Sequence, residues 1–252
     1  MGLQAYPKEA LDIFKKAHVA LLVPVFDKPD YRFMLSIVRM VAHSVEMGVH
    51  MAGMAVAHRS KTVSARNRLM KATLERKDVP ITHLLWMDDD HAFEPNILCN
   101  LLSRDKEYIC SLMFQKLAPH YPTIYRVSDK DKHGYHAYIK WPRSVFRIDA
   151  GGFGFVLMKR ETAAKIKPPY FEEQTGAFGQ DLHFCSKLRD LGIPMYCDGT
   201  QSVLHIGYEP PVYGEVDFMR YQEAELKKVA DHVKKTQADH GETKVEVNNV
   251  LV

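Results

Sequence analysis

Apolar positions along the chain fall into two alternating rhythms. Continuous runs at 18–27 (HVALLVPVFD), 49–57 (VHMAGMAVA), 81–87 (ITHLLWM) and 107–114 (EYICSLMF) read as strands, the first of them suited to a buried, central parallel position. Between them, 30–48, 60–78 and 94–104 carry apolar residues at helical spacing. Asp30 is placed to cap the first of these helices and Gly48 to stop it, and Pro95 sits near the start of the third. This β-α-β-α-β-α-β alternation predicts an α/β fold with a mostly parallel central sheet flanked by helices. In such sheets ligands bind beyond the carboxyl ends of the strands.

The second half is less regular. Residues 121–149 alternate short aromatic strands with polar turns, and 151–160 (GGFGFVLMKR) reads as a glycine-led strand. A helix over 178–192 is stopped by Gly192, two short strands over 193–207 include His205, and a charged amphipathic helix covers 215–238 before a polar tail. No repeat and no linker interrupts the pattern, so one domain is expected.

Composition changes this picture little. Hydrophobic residues make up 46% and charged residues 26%, ordinary for a chain that buries a core. The formal charge of +3 demands neither a nucleic acid nor a membrane as partner. Cys99, Cys110, Cys185 and Cys197 show no C-x-x-C spacing and read as buried free thiols, which suits a cytoplasmic setting. The longest clean apolar run, 19–26, is far short of the roughly 20 residues a spanning helix needs. Lys8, Lys15 and Lys16 precede it as in a signal peptide, but it contains Pro24 and is followed by DKPD rather than a cleavage site.

The chemistry concentrates where the third apolar run ends, in HLLWMDDDHAFEPN. Asp88, Asp89 and Asp90 are adjacent and repel one another, so positive charge must compensate them. Carboxylate oxygens at the rigid end of a buried strand suit a hard divalent cation, Mn²⁺ or Mg²⁺, shared with a substrate phosphate. Upstream, Arg59, Lys61, Arg66, Arg68 and Lys71 are expected to form a cationic surface for a diphosphate.

MDDD after a strand, GGFGFVLMKRE, QDLHFCSKLRDLG and a late VLHIG stand in the order seen in GT-A glycosyltransferases, and the chain resembles that family over 18–207. The likeness is greatest to small, phage-encoded members acting in the host cytoplasm. It implies a GT-A fold over 1–252, with a nucleotide-sugar-binding half at 18–116, an acceptor and catalytic half at 117–207, and a C-terminal helix and tail at 208–252. It implies a metal-dependent transfer from a nucleotide sugar, UDP by default, to an acceptor hydroxyl. Asp88 and Asp90 resemble the DxD pair, the first nearer the ribose, with His205 completing the metal sphere and Asp89 between them at the nucleotide sugar. Pro24, Val25 and Asp27 resemble the segment holding base and ribose, and Arg59, Arg66 and Asn67 its nucleotide-facing neighbours. Asp181 matches the catalytic base, although the Glu-Asp usual in the family is Gln180-Asp181 here, which removes one carboxylate and leaves the base position intact. Gly152, Phe153, Gly154 and Gln180 fall on the acceptor side.

Residues 125–147 interleave Tyr125, Tyr135, Tyr138, Trp141 and Phe146 with Arg126, Lys130, Lys132, Lys140, Arg143 and Arg147. Such a stretch suits a DNA acceptor, for example a hydroxymethylated pyrimidine, and suits a carbohydrate equally. Two other readings compete. A nucleotidyltransferase would want a glycine-rich loop after the first strand, where VPVFDKPDY has none. A non-catalytic nucleic-acid-binding module leaves Asp88, Asp90 and His205 without a purpose.

Overall fold

A computed structural model describes residues 5–129, 134–173, 179–207 and 212–240. Its elements run α1 (Lys8–Lys16), β1 (His18–Val25), α2 (Tyr31–Glu46), β2 (His50–His58), α3 (Thr62–Glu75), β3 (His83–Met87), β4 (His91–Ala92), α4 (Ile97–Leu102) and β5 (Tyr108–Leu112). Then follow β6 (Ile124–Val127), β7 (Tyr135–Ala137), β8 (Val145–Ile148), β9 (Ala150–Gly151), β10 (Phe155–Lys159), α5 (Arg160–Ala164) and α6 (Gln180–Asp190). The last are β11 (Met195–Ser202), β12 (Leu204–Ile206), β13 (Val212–Tyr213) and α7 (Glu215–His240). The polar tail beyond His240 lies outside the described residues, as do Lys130 and Lys132.

Seven strands form the central sheet in the order β2-β1-β3-β10-β5-β11-β8. β1 pairs in parallel with β2 and β3, and β11 with β5, whereas β10 and β8 run against their neighbours. β2, β1, β3, β5 and β11 therefore point one way, giving the mostly parallel α/β sheet that the alternation predicts. Burial on both faces explains the unbroken apolar runs of the inner strands: β3 and β5 expose almost nothing, whereas β2, at the edge, buries only Ala57 fully.

The glycine-led run is where pattern and structure differ. It splits into β9, which pairs with β6, and β10, which runs antiparallel between β3 and β5. Period and composition do not reveal which neighbours a buried strand takes, so this insertion is invisible locally. Ahead of β1, the basic segment folds as α1 and buries Ala10 and Phe14. All four cysteines are free and buried. Among the described residues no helix is long and apolar enough to cross a membrane.

The carboxyl ends of β1, β2 and β3 bring Pro24, Val25, His58 and Asp88 to one edge of the sheet. A small sheet of order β13-β12-β4 lies in sequence just beyond that edge, because β4 begins directly after Asp90. Its register sets His205 opposite His91.

Candidate functional site

The backbone of the carboxylate run is held at three points. The Asp88 N–H donates to the Gly154 carbonyl at 3.0 Å, the Asp89 carbonyl accepts from the Asp30 N–H at 3.3 Å, and the Asp90 carbonyl accepts from the Ile206 N–H at 2.7 Å. Adjacent side chains on so fixed a backbone diverge, and each carboxylate meets different partners.

Asp90 faces two histidines and a lysine. His205 Nε2 lies 3.4 Å and Lys116 Nζ 2.6 Å from Asp90 Oδ2, while His91 Nδ1 lies 3.2 Å from Oδ1. Burial opposes ionisation of this carboxyl, but His205 and His91 close beside it outweigh that and hold its pKa well below the usual carboxylate range. The antiparallel pairing of β4 with β12 stacks the His91 and His205 rings at 4.4 Å with 16° between planes. His205 Nδ1 lies 2.7 Å from the Phe114 carbonyl, to which its N–H donates, leaving Nε2 aimed at Asp90. A proton or a cation between Nε2 and Oδ2 satisfies both atoms.

One carboxylate oxygen and two imidazole nitrogens of Asp90, His91 and His205 lie within 4.8 Å of one another. This donor set fits a divalent cation, and an imidazole whose second nitrogen donates to a backbone carbonyl is the usual form of a metal-ligating histidine. Asp88, expected beside Asp90 at the ion, lies against Arg66 instead, and His91 is the third donor of the cluster.

Arg66 corrects the expectation of an exposed cationic face. Its side chain is only 2% exposed, because α3 turns Ala65, Arg66, Leu69, Met70 and Thr73 inward together. Nη2 donates to Asp88 Oδ1 at 3.0 Å and Oδ2 at 3.2 Å, and Nη1 donates to Asp181 Oδ1. The guanidinium lies 5.5 Å from the Phe153 ring and 5.7 Å from that of Phe171. Of the other cations in that set, Arg68 donates to Ser60 Oγ and Lys71 lies 3.9 Å from Glu75.

Asp181 stands in the first turn of α6, and its Oδ2 accepts from the Phe153 N–H at 3.2 Å. Burial raises its pKa above the ordinary carboxyl value and the Asp88 charge adds to this, against the pull of Arg66. Its side chain keeps 28% exposure.

Two cavities flank the carboxylates. One, of 190 Å³, is lined by Pro24, Val25, Phe26, Ser60, Thr62, Asp88, Asp89, Asp90 and His205. The other, of 350 Å³, touches Phe26, Asp27, Lys28, Asp30, Asp89, Asp90 and Lys116. Asp89 borders both, and burial followed by repulsion from Asp90 and Asp88 pushes its pKa up to about 6. Phe26 also borders both and is 74% exposed.

The remaining candidates have mixed positions. Arg59 follows β2, its N–H bonded to the Val25 carbonyl at 3.2 Å. Asn67 spends its amide on backbone: Oδ1 accepts from the N–H groups of Tyr170 and Phe171, and Nδ2 donates to the Phe171 carbonyl at 2.7 Å. A Cβ on Gly154 would lie 2.6 Å from His91 Cε1, and one on Gly152 would lie 2.9 Å from Thr123 Oγ1, so both glycines make room for this chain's own side chains. Gln180 Oε1 is buried without a hydrogen-bond partner among the described residues. Trp141 packs 5.8 Å from both Phe114 and Phe218. In the aromatic and basic stretch, Arg126 lies over Tyr138 at 4.7 Å and Arg143 is paired with Glu215.

Sequence reasoning missed His91 and Lys116. His91 carried a signal, its adjacency to Asp90, whereas Lys116 comes from a loop with no local mark of chemistry.

No protein-family model and no curated protein matches the sequence. Among solved structures, the chain is similar to A197 from STIV, with 19% identity, 78% of this chain and 90% of that chain covered, and a TM-score of 0.53. It is also similar to the catalytic domain of Drosophila beta1,4galactosyltransferase 7 in complex with xylobiose (15% identity, 72% and 65% covered, TM-score 0.42). A third is the inositol-1-phosphate CTP transferase from T. maritima (10% identity, 82% and 97% covered, TM-score 0.45). The likeness is one of fold.

Proposed function

We propose that this chain transfers a sugar from a nucleotide-sugar donor, UDP by default, to an acceptor hydroxyl, with a divalent metal as cofactor. The observation that carries the reading is the cavity at the carboxyl edge. The end of β1 forms one wall, and residues 88–90 with His205 form the other. Two imidazoles beside one carboxylate favour Mn²⁺ over Mg²⁺, which prefers oxygen donors.

When bound, the ion supplies positive charge against the diphosphate leaving group. Pro24, Val25 and the exposed Phe26 flank the nucleoside, and Asp88, which lines the same cavity, meets the ribose. The acceptor hydroxyl gives its proton to Asp181 as its oxygen bonds to the anomeric carbon and the bond from that carbon to the diphosphate oxygen breaks. A single base opposite the leaving group inverts the anomeric centre. Burial raises the pKa of Asp181, the direction a base working near neutrality requires. For the acceptor we propose a hydroxymethylated pyrimidine in DNA, approached by exposed residues such as Arg126, Lys140, Arg143 and Arg147, with a carbohydrate as the competing class.

The test is thermal unfolding of the wild type and Asp90→Asn with nucleoside diphosphates and nucleotide sugars, each with and without Mn²⁺. At a ligand concentration of about 100 Kd the stabilisation is about 2.7 kcal/mol, roughly 5–10 °C for a chain of this size. The shift should require nucleotide and metal together and vanish in the variant. No shift with any pair removes the reading, and release of pyrophosphate rather than nucleoside diphosphate on turnover replaces it with nucleotidyl transfer.

A further inference from the structure

We infer that Lys116 is an exchangeable counter-ion of Asp90: a divalent ion displaces its ammonium, which then serves a donor phosphate in the adjoining cavity. This rests on Asp90, His91 and His205 acting as metal donors.

Three observations lead there. First, Lys116 and the proposed ion compete for one atom. Lys116 Nζ lies 2.6 Å from Asp90 Oδ2, the same oxygen that His205 Nε2 faces at 3.4 Å. An ion held between Nε2 and Oδ2 and an ammonium hydrogen-bonded to Oδ2 would stand within a few ångströms of each other, with like charge and one shared acceptor.

Second, among the described residues Lys116 is better placed to move than Arg66, the other strong cation engaging these carboxylates. Arg66 is enclosed by two rings and two carboxylates. Lys116 is 33% exposed on a four-carbon stem, and its ammonium can swing while the backbone stays. That backbone is braced: Phe114 and Pro122 form a bridge, the Gln115 N–H donates to the Tyr121 carbonyl at 3.0 Å, and the Phe114 carbonyl holds His205 Nδ1. The loop that orients a metal-donor histidine thus also carries the competing cation.

Third, the displaced ammonium has a destination. Lys116 already lines the 350 Å³ cavity beside Asp90, and Lys28 brings a second cation to it. The carboxylates on that wall are partly neutralised, since Asp30 is tied to Arg32 at 2.8 Å. Two lysines beside a metal-bound carboxylate suit a phosphate bridging to the ion. Metal and nucleotide binding then reinforce one another, because the ion frees the lysine that the phosphate uses.

The experiment titrates Mn²⁺ against the wild type, Lys116→Met, Lys116→Arg and Asp90→Asn, reading free Mn²⁺ by its electron paramagnetic resonance signal. UDP is then titrated at saturating Mn²⁺. Removing the competing charge should tighten Mn²⁺ binding roughly ten-fold or more in Lys116→Met, with Lys116→Arg close to wild type and Asp90→Asn without binding. UDP affinity should fall about ten-fold in Lys116→Met. Unchanged or weaker Mn²⁺ binding in Lys116→Met overturns the exchange while leaving the proposed function standing. Tighter Mn²⁺ with unchanged UDP affinity overturns the delivery to phosphate. Failure of wild type and Lys116→Met alike to bind Mn²⁺ overturns the inference and the metal part of the proposed function together.

Discussion

Replacing Arg66 with methionine tests whether the buried guanidinium holds the two halves of the site together. Methionine keeps much of the bulk between Phe153 and Phe171 but removes the donors to Asp88 and Asp181. A hydrogen bond to a charged group contributes about 1.5–3 kcal/mol when well shielded. Asp88 and Asp181 are 31% and 28% exposed, so water replaces part of what is lost and about 1 kcal/mol each is the appropriate figure. Loss of the cation from two ring faces adds about 0.5 kcal/mol each. The expected destabilisation is therefore about 3 kcal/mol, roughly 6–12 °C in Tm.

The pH dependence supplies the sharper check. The Asp181 pKa is already raised by burial, and without Arg66 it rises further. A group with a raised folded-state pKa stabilises the fold below its unfolded value, near 3.9, and that contribution is lost as pH rises through the folded value. The variant should thus be most penalised at pH 8 and recover toward wild type as pH falls to 5. Urea unfolding at both pH values measures this. A difference below about 1 kcal/mol, or one independent of pH, would mean that the ion triad contributes little and that packing alone positions Asp181.

Two further perturbations test neighbouring parts of the argument. Gly154→Ala places a Cβ 2.6 Å from a His91 ring already stacked on His205, so a loss of about 2 kcal/mol and weakened Mn²⁺ binding are expected by calorimetry; full retention of both would show that the ring is free to move. His83, pushed down to about 4 by burial and then by the Lys159 charge, stays neutral in the fold, so stability should fall as pH drops from 6.5 toward 4, by about 3 kcal/mol at most. His83→Gln should flatten that limb of the denaturation profile, and an unchanged limb would assign the loss to other groups.

What the pattern of residues revealed was what local chemistry encodes. The buried strands β1, β3 and β5 show as unbroken apolar runs, and Asp88 follows β3 at the expected ligand edge. Arg66 was legible in principle: it shares an inward stripe with Leu69, Met70 and Thr73, but a charge on such a stripe is normally assigned to the surface. The antiparallel insertion of β10 and the approach of Lys116 to Asp90 were not legible. Both depend on partners distant in sequence, and neither strand pairing nor a loop lysine leaves a periodic trace.

The apportioning of charge among three adjacent aspartates follows from register. Asp88 goes to Arg66, Asp89 is left poorly compensated between two cavities, and Asp90 receives both imidazoles and the ammonium. That division needs β12 to lie against β4 with His205 opposite His91 and the Ile206 N–H on the Asp90 carbonyl. A slip of one residue would turn His205 to the other face and put Leu204 or Ile206 beside Asp90, leaving Lys116 as its chief counter-charge. The three-residue strand β12 therefore does more than close a small sheet. It decides which of three identical side chains stands beside two imidazoles as a candidate metal donor, and no property of the triplet itself makes that choice.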